Sequence, residues 1–306
     1  MAYSVDETKE VTEGVDHMQY IITGATGHLG RQITNQMLKR VAATDLILAV
    51  HTPAKAIDFA NAGLTVRAID YQNLASLTTA FAGGDILIYV ASLAYDRVSR
   101  IRELENVIAA AETAGVQSIV AMSFFTDQTN NPFTMALFYA YLPTRLAGSK
   151  LKYAVMRNAL YADPLIPYLP ELIARKHLIY PVGDQALSFI SQADSAEAFA
   201  TVATTPALRD HGRHFLLSQP NTFTMPELGA IMTQVTGHSI GYAPVTTAEF
   251  AQIYAAEGDG AELASMYQAG ARGLLNQPSH DFTAITGHAP TTMADFLTAG
   301  WRQTQI

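Results

Sequence analysis

Three glycines, at positions 24, 27 and 30 of the run Thr23-Gly24-Ala25-Thr26-Gly27-His28-Leu29-Gly30, carry the clearest chemistry in this chain. An apolar segment, Met18 to Ile22, leads directly into them, and a helix-like one, Arg31 to Arg40, leads directly out. Strand, G-x-x-G-x-x-G, helix is a recipe for seating a dinucleotide diphosphate on backbone amides. The first glycine turns the chain off the strand, the second lets the backbone approach the phosphates, and the third brings helix and strand together. Unpaired N–H groups at the helix start then face the anion, with the helix dipole behind them. Glycines also mark ordinary turns, so the triplet by itself admits a purely structural reading.

The second informative place is the end of the next apolar run, Leu46 to Val50, which continues as His51-Thr52-Pro53-Ala54-Lys55. In a dinucleotide fold this strand end reads the adenosine ribose: a carboxylate bonds the 2′-hydroxyl of NAD, and a basic residue accommodates the 2′-phosphate of NADP. No carboxylate stands here to repel a phosphate, and Lys55 offers a point charge. A histidine such as His51 is protonated only part of the time at neutral pH. NADP(H) is therefore the expected cofactor. NAD(H) is the other option, should Lys55 be a solvated helix residue and His51 a neutral donor.

The elements that would position these residues follow from periodicity. Short, continuously apolar runs at Tyr20–Thr23, Leu46–Val50, Leu64–Ile69, Asp85–Ala91, Ser118–Ser123 and Lys152–Met156 read as parallel strands buried on both faces. Helix-length stretches separate them: 31–43, 53–61, 73–81 and 98–114, the last with apolar residues at Ile101, Leu104, Val107, Ile108 and Ala111. This alternation predicts an α/β fold, a Rossmann-type doubly wound parallel sheet over residues 18–160. Residues 161–306 read as a smaller, mostly helical substrate subdomain, with strands at 214–217 and 240–242 and segments returning to the main sheet. Its helices start at Thr224, Thr246 and Thr292, each followed three residues later by an acid. Residues 1–17 are polar and acidic and read as a flexible extension.

Composition narrows the options. With 306 residues, 49% of them hydrophobic, the chain can bury a large core. Its net charge of −8 and lack of a Lys/Arg cluster argue against nucleic acid. The absence of cysteine excludes disulfides and thiolate chemistry, and the nine histidines show no metal-binding spacing, so no metal site is expected. No apolar run reaches the roughly 20 residues of a membrane span, and no secretory signal is visible, so the cytoplasm is the expected compartment. A homodimer is compatible with all of this.

Beyond the glycine run, Pro53-Ala54-Lys55-Ala56, Gly63 to Arg67 with Asp70-Tyr71, Asn106-Val107-Ile108, Ala114-Gly115-Val116 and Met156-Arg157-Asn158-Ala159-Leu160-Tyr161 form a family pattern. The sequence resembles the NmrA-like atypical short-chain dehydrogenases, most closely the type-2 NAD(P)H:quinone oxidoreductases and triphenylmethane reductases, from Met18 nearly to the C-terminus. The resemblance implies that Gly24 to Leu29 hold the pyrophosphate and that Ala91, Ser92 and Leu93 line the ribose and nicotinamide. It implies that Asn158 and Tyr161 close over the nicotinamide and border the substrate, with Phe189 approaching from a later segment. Two positions depart from the pattern. His51 stands where relatives commonly carry an arginine, and Tyr139 stands where they often carry a histidine.

Most short-chain dehydrogenases relay a proton through Tyr-x-x-x-Lys. The nearest match is Tyr141-Leu142-Pro143-Thr144-Arg145, with Ser123 nearby, so Tyr139 and Tyr141 are the candidate catalytic residues. Arginine keeps the charge but not the compact ammonium, and Pro143 disfavours a helix interior. The competing reading is two aromatics packing a pocket wall. Hydride transfer to a quinone can dispense with such a tyrosine, because the acceptor's oxygens can take protons from water; positioning then carries catalysis. Phe124, Phe125, Phe133, Phe138, Tyr139, Tyr161 and Tyr168, with Phe189, offer an aromatic wall for a flat acceptor, although any one of them can equally be core. The expectation is an NAD(P)H-dependent reductase of a small quinone or similar electron-poor aromatic. The alternative is a dinucleotide-sensing, NmrA-like regulator without turnover. A sugar-nucleotide epimerase is disfavoured, since that chemistry needs a working tyrosine relay.

Overall fold

Strands β1 (Tyr20–Thr23), β2 (Leu46–Val50) and β4 (Ile86–Tyr89) are buried at every position. A strand without a polar face must lie inside a sheet covered on both sides. With β3 (Thr65–Ala68), β5 (Ser118–Phe124), β6 (Lys152–Asn158) and, much later in the chain, Arg213–Leu217, they form one seven-stranded sheet. Every pairing in it is parallel. The computed structural model describes residues 17–94, 96–257 and 260–304, so the extension expected over 1–17 lies outside the described residues except for His17.

The order across the sheet is Arg213–Leu217, β6, β5, β4, β1, β2, β3. The winding reverses between β1 and β4, and that switch point opens a crevice at the carboxyl ends. Alternate side chains feed two cores. Ile22, Leu48 and Ile88 face helices α1 (His28–Met37) and α7 (Gln192–Thr204), whereas Ile21, Ile47 and Leu87 face α3 (Leu74–Phe81), α4 (Arg97–Ala114) and α5 (Ala136–Ala147). The short α2 (Ile57–Asn61) and α6 (Leu165–Arg175) complete the helices up to α7. The doubly wound Rossmann-type sheet expected from the sequence is the one observed.

Some boundaries move. Helix α1 starts at His28, inside the glycine run, and stops at Met37 rather than running through residues 31–43. Asn73 and Asp96 are N-caps whose side chains accept from Ser76 and Ser99 N–H groups, so α3 and α4 begin one residue later and one earlier than expected. Helix α5 continues through Pro143, because Phe138, Leu142 and Leu146 anchor one face in the core and outweigh the lost hydrogen bond.

After β6 the chain forms β7 (Leu160–Tyr161), β8 (His177–Leu178) and β9 (Leu187–Ile190), then β10 (Arg213–Leu217), β11 (Thr222–Phe223) and β12 (Gly241–Tyr242). β10 joins the edge of the main sheet beside β6. β7, β9 and β11 make a small second sheet, and β8 pairs with β12. Capping boxes at Thr224/Glu227 and Thr246/Glu249 open two of the surrounding helices, and Thr292 caps the last one through the Asp295 N–H at 3.2 Å. No helix among the described residues is long and apolar enough to cross a membrane.

Candidate active site

The crevice begins where β1 ends. Thr23 is fully buried, and its hydroxyl both accepts from the Val90 N–H (2.9 Å) and donates to the Val90 carbonyl (3.0 Å). The Tyr71 hydroxyl donates to the same carbonyl at 2.7 Å. These bonds replace the strand ladder just past β4 and hold the mouth of the switch point in shape. They explain why β4 stops at Tyr89, short of the expected Ala91.

Gly24 adopts φ +62°, and a Cβ there would lie 3.2 Å from Val90. A Cβ on Gly30 would sit only 2.1 Å from the Gly24 carbonyl oxygen, so this glycine exists for helix–strand contact. Gly27 differs: its Cβ would meet the Gly24 oxygen at 3.3 Å and nothing else near, which leaves its outer side open. It is also the N-cap of α1 and supplies no side chain to the helix start. The N–H groups of the first turn therefore face outward without an intrahelical partner, as an anion seat requires. Ala25 and Leu29 are buried beneath the loop, while Thr26, Gly27 and His28 reach its surface. Asp163 approaches His28 from beyond β7, and burial pushes its carboxyl above the ordinary range. The donor set and the open face at Gly27 fit a dinucleotide diphosphate.

The other expected cofactor contacts lie around this loop. His51 and Lys55 are exposed at the end of β2. Ala91 is buried, and Leu93 is 82% exposed at the rim. The Ser92 hydroxyl turns back into the fold: it donates to Glu103 of α4 and accepts from the Ala94 N–H. Ser92 therefore fixes the loop after β4 and has no proton to offer a ribose. Asn158 is also internal, with its Oδ1 accepting from the Ser195 hydroxyl at 2.6 Å and its Nδ2 donating to the Ser123 and Met156 carbonyls. Ser195 in turn hydrogen-bonds the Tyr161 hydroxyl. Asn158 thus acts through Ser195 to set the Tyr161 ring. The neighbouring Arg157 points to the opposite face of β6 and holds Asp127 at 2.7 Å, a structural use of the motif's arginine.

Past the ends of β5 and β7 lies a cavity of about 280 Å³. Phe124, Tyr161 and Phe189 line it, together with Tyr168, Tyr180, Phe250, Tyr254, Tyr267 and the aliphatic Leu160, Leu165, Leu263 and Met266. No acidic or basic side chain is among them. Burial pushes the Tyr161, Tyr180 and Tyr267 phenols well up, so they stay neutral. The sequence indicated Phe124, Tyr161, Tyr168 and Phe189 of this wall, and missed Tyr180 and the residues from helices Thr247–Ile253 and Gly260–Ala271. The i, i+4 pair Phe250/Tyr254 and the triplet Leu263, Met266, Tyr267 were available as signals, but apolar helical spacing reads the same for core and for cavity.

Several expected pocket residues lie elsewhere. Phe125 is fully buried, with its ring 5.0 Å from that of Phe124, and belongs to the core instead of the cavity wall. Phe133 and Phe138 are core residues of the α3–α5 side. Tyr139 packs between Phe124 (5.5 Å) and Phe133 (6.2 Å), behind the wall, with Arg100 of α4 beside its hydroxyl. Tyr141 is not at the site. Residues two apart on a helix face nearly opposite directions, and its hydroxyl donates to Glu105 of α4 at 2.5 Å. Arg145 binds both oxygens of the same carboxylate at 2.9 Å, so the relay-like Tyr-x-x-x-Arg spacing is an α4–α5 clamp.

A family model described as NAD(P)H-binding matches residues 24–163. Quinone oxidoreductase 2 of Escherichia coli is 31% identical over 278 residues, covering 90% of this chain and 96% of that protein. A crystal structure of the E. coli NADPH-dependent quinone oxidoreductase with NADPH matches with a TM-score of 0.85 at 29% identity, over 92% of this chain and 99% of that one. A Staphylococcus aureus structure described as a nucleoside-diphosphate-sugar epimerase matches with a TM-score of 0.87 at 39% identity, over 92% and 100% of the two chains. Citrobacter triphenylmethane reductase with NADP(H) matches at 0.85 and 27% identity, over 92% and 100%. With its glycine seat, its switch-point crevice and a 31% identical relative spanned almost end to end, the chain belongs to the NAD(P)H-binding, NmrA-like family that includes quinone oxidoreductase 2.

Proposed function

We propose that the chain is a soluble, cytoplasmic NADPH-dependent reductase that delivers hydride to a quinone or a similar electron-poor aromatic. The observation that carries this reading is the aromatic, charge-free cavity that Phe124 at the end of β5 and Tyr161 of β7 help to line. NADPH, when bound, supplies the hydride. The chain's own work is to seat the diphosphate on the first turn of α1, to stack a flat acceptor against Phe124, Tyr161 and Phe189, and to exclude water from the contact. Ser195 and Asn158 keep the Tyr161 ring in one orientation, which serves positioning. With Tyr141 committed to Glu105 and Tyr139 behind Phe124, protons reach the reduced oxygens from solvent.

An epimerase reading, suggested by the description of the S. aureus relative, meets two obstacles. A second nucleoside diphosphate would need a helix-start seat or cationic side chains of its own, and no charged side chain lines the cavity; the relay tyrosine is engaged elsewhere. A sensor without turnover would share the nucleotide seat, but it gives no reason for a cavity built to hold an apolar ring system. Steady-state turnover of NADPH with menadione and with a sulfonated naphthoquinone tests the proposal. Menadione should be reduced, and the sulfonate should be reduced at least about tenfold less efficiently, since its charge would be buried unpaired. Absence of turnover across quinones, azo dyes and enals would sink the reductase reading in favour of the sensor.

A further inference from the structure

The carboxyl end of β2 is where this fold reads the 2′ position of the adenosine ribose. The chain places His51 there, exposed, with its Nδ1 3.3 Å from the Thr52 hydroxyl. A guanidinium reaches the segment that follows β2 from another element. Arg31 stands on the first turn of α1, four residues after the N-cap Gly27. Its Nη2 donates to the Lys55 carbonyl, its Nη1 donates to Asp58 Oδ2 at 2.6 Å, and its Cζ lies 5.1 Å from the centre of the Phe59 ring. Asp58 responds in kind, its carboxyl held below the ordinary range by the Arg31 hydrogen bond.

We infer that Arg31, rather than His51, is the residue that selects a 2′-phosphorylated nucleotide. This rests on reading the cleft as an NADPH site and names the side chain that gives it its preference. The guanidinium is fixed in place by three neighbours on the segment after β2, so little side-chain entropy remains to be lost when a phosphate arrives. It is about one-third exposed, and a guanidinium carries five N–H donors; Nη2 also reaches Asp58 Oδ1 at 3.4 Å, so Nε–H and one Nη1 proton are uncommitted to Asp58 and Lys55. Asp58 is the positioning partner. By pairing with Arg31 it also neutralises the one carboxylate in this segment that would otherwise repel a phosphate. Sequence spacing hides this device, because Arg31 precedes β2 by fifteen residues and looks like an ordinary helix-surface arginine.

The test is calorimetric titration of the full chain with NADPH, NADH, 2′,5′-ADP and 5′-AMP. For Arg31→Ala, affinity for NADPH and 2′,5′-ADP should fall by about tenfold to a hundredfold, the span expected for a lost charge-assisted bond. NADH and 5′-AMP should hold within about twofold. Arg31→Lys keeps the charge without the fork and should recover part of the preference. His51→Ala should change the NADPH/NADH ratio by less than about threefold. An unchanged ratio in Arg31→Ala, an equal loss for both nucleotides, or a preference abolished by His51→Ala would each overturn the assignment while leaving the NADPH site standing. Failure of the unmodified chain to bind either nucleotide would instead overturn the site reading itself. A thermal scan of each variant confirms that it is folded before titration.

Discussion

Gly27 and Gly30 lie three residues apart, yet their geometry assigns them different jobs, and replacing each with alanine should separate packing from ligand binding. At Gly30 the new Cβ would lie 2.1 Å from the Gly24 oxygen, 2.7 Å from its carbonyl carbon and 2.9 Å from Ala25 Cα. All three are backbone atoms, so no rotamer change relieves the contact. Restoring ordinary separation requires α1 to retreat from β1 by roughly 1.3 Å, and overpacking of this kind costs about 1–3 kcal/mol. Alanine's better helix propensity returns up to about 1 kcal/mol. A net loss of about 1–2 kcal/mol should lower the melting temperature by about 2–3 °C in a chain of this size. At Gly27 the Cβ meets only the Gly24 oxygen, at 3.3 Å, so the fold should be affected by less than about 1 kcal/mol. There the methyl group stands on the open side of the nucleotide seat, and NADPH affinity should fall about tenfold or more. With NADPH at 100 times the original Kd, the unmodified chain should gain about 2.7 kcal/mol and Gly27→Ala no more than about 1.4 kcal/mol. Thermal unfolding with and without NADPH reads both quantities. Gly30→Ala melting within about 1 °C of the original, or Gly27→Ala keeping the full nucleotide-induced shift, would refute this division of roles between the two glycines.

Other perturbations probe the neighbouring groups. Tyr141→Phe should leave turnover within about twofold and Tyr139→Phe within about tenfold, because general acid catalysis, worth about 10²–10⁴, is not assigned to either; a larger loss in rapid assays would restore a tyrosine relay. Ser195→Ala leaves Asn158 Oδ1 without its 2.6 Å donor in a fully buried place. It should cost about 1–3 kcal/mol in denaturant unfolding and raise KM for the acceptor through the loosened Tyr161, and an unchanged midpoint would contradict this. His288 donates to Glu197 at 3.0 Å, and that bond raises its pKa above the ordinary 6.5. Because the folded value is the higher one, the contribution is complete below pH 6.5 and disappears as pH climbs through the folded value. The melting-temperature gap between the original chain and His288→Gln should therefore narrow from pH 6 to about pH 8, and a gap that widens would reverse the assignment.

The main sheet was legible in the sequence because a strand buried on both faces has no solvent-facing polar side, and the only non-aromatic polar residue in β1, β2 and β4 is Thr23, at the end of β1. The glycine run was legible for a similar reason, since few residues other than glycine tolerate φ +62° at position 24 or a 2.1 Å approach at position 30. Side-chain direction was not. Tyr-x-x-x-Arg at residues 141–145 resembles a relay in spacing, and only the placement of Glu105 on the adjoining helix reveals a clamp. Ser92 had the right address, but its hydroxyl is drawn inward by Glu103, eleven residues further along the chain on α4. The far wall of the cavity, at Phe250, Tyr254 and Tyr267, depends on how two C-terminal helices dock, which no local pattern encodes.

The nucleotide seat is drawn from the first forty or so residues of the fold, whereas the cavity takes its wall from positions 124 to 267. This division makes the molecule easy to retune. A combinatorial library confined to the helices at 247–253 and 260–271 would explore new acceptors while the coenzyme grip stays untouched, and a swap of those helices between relatives is the natural place to begin.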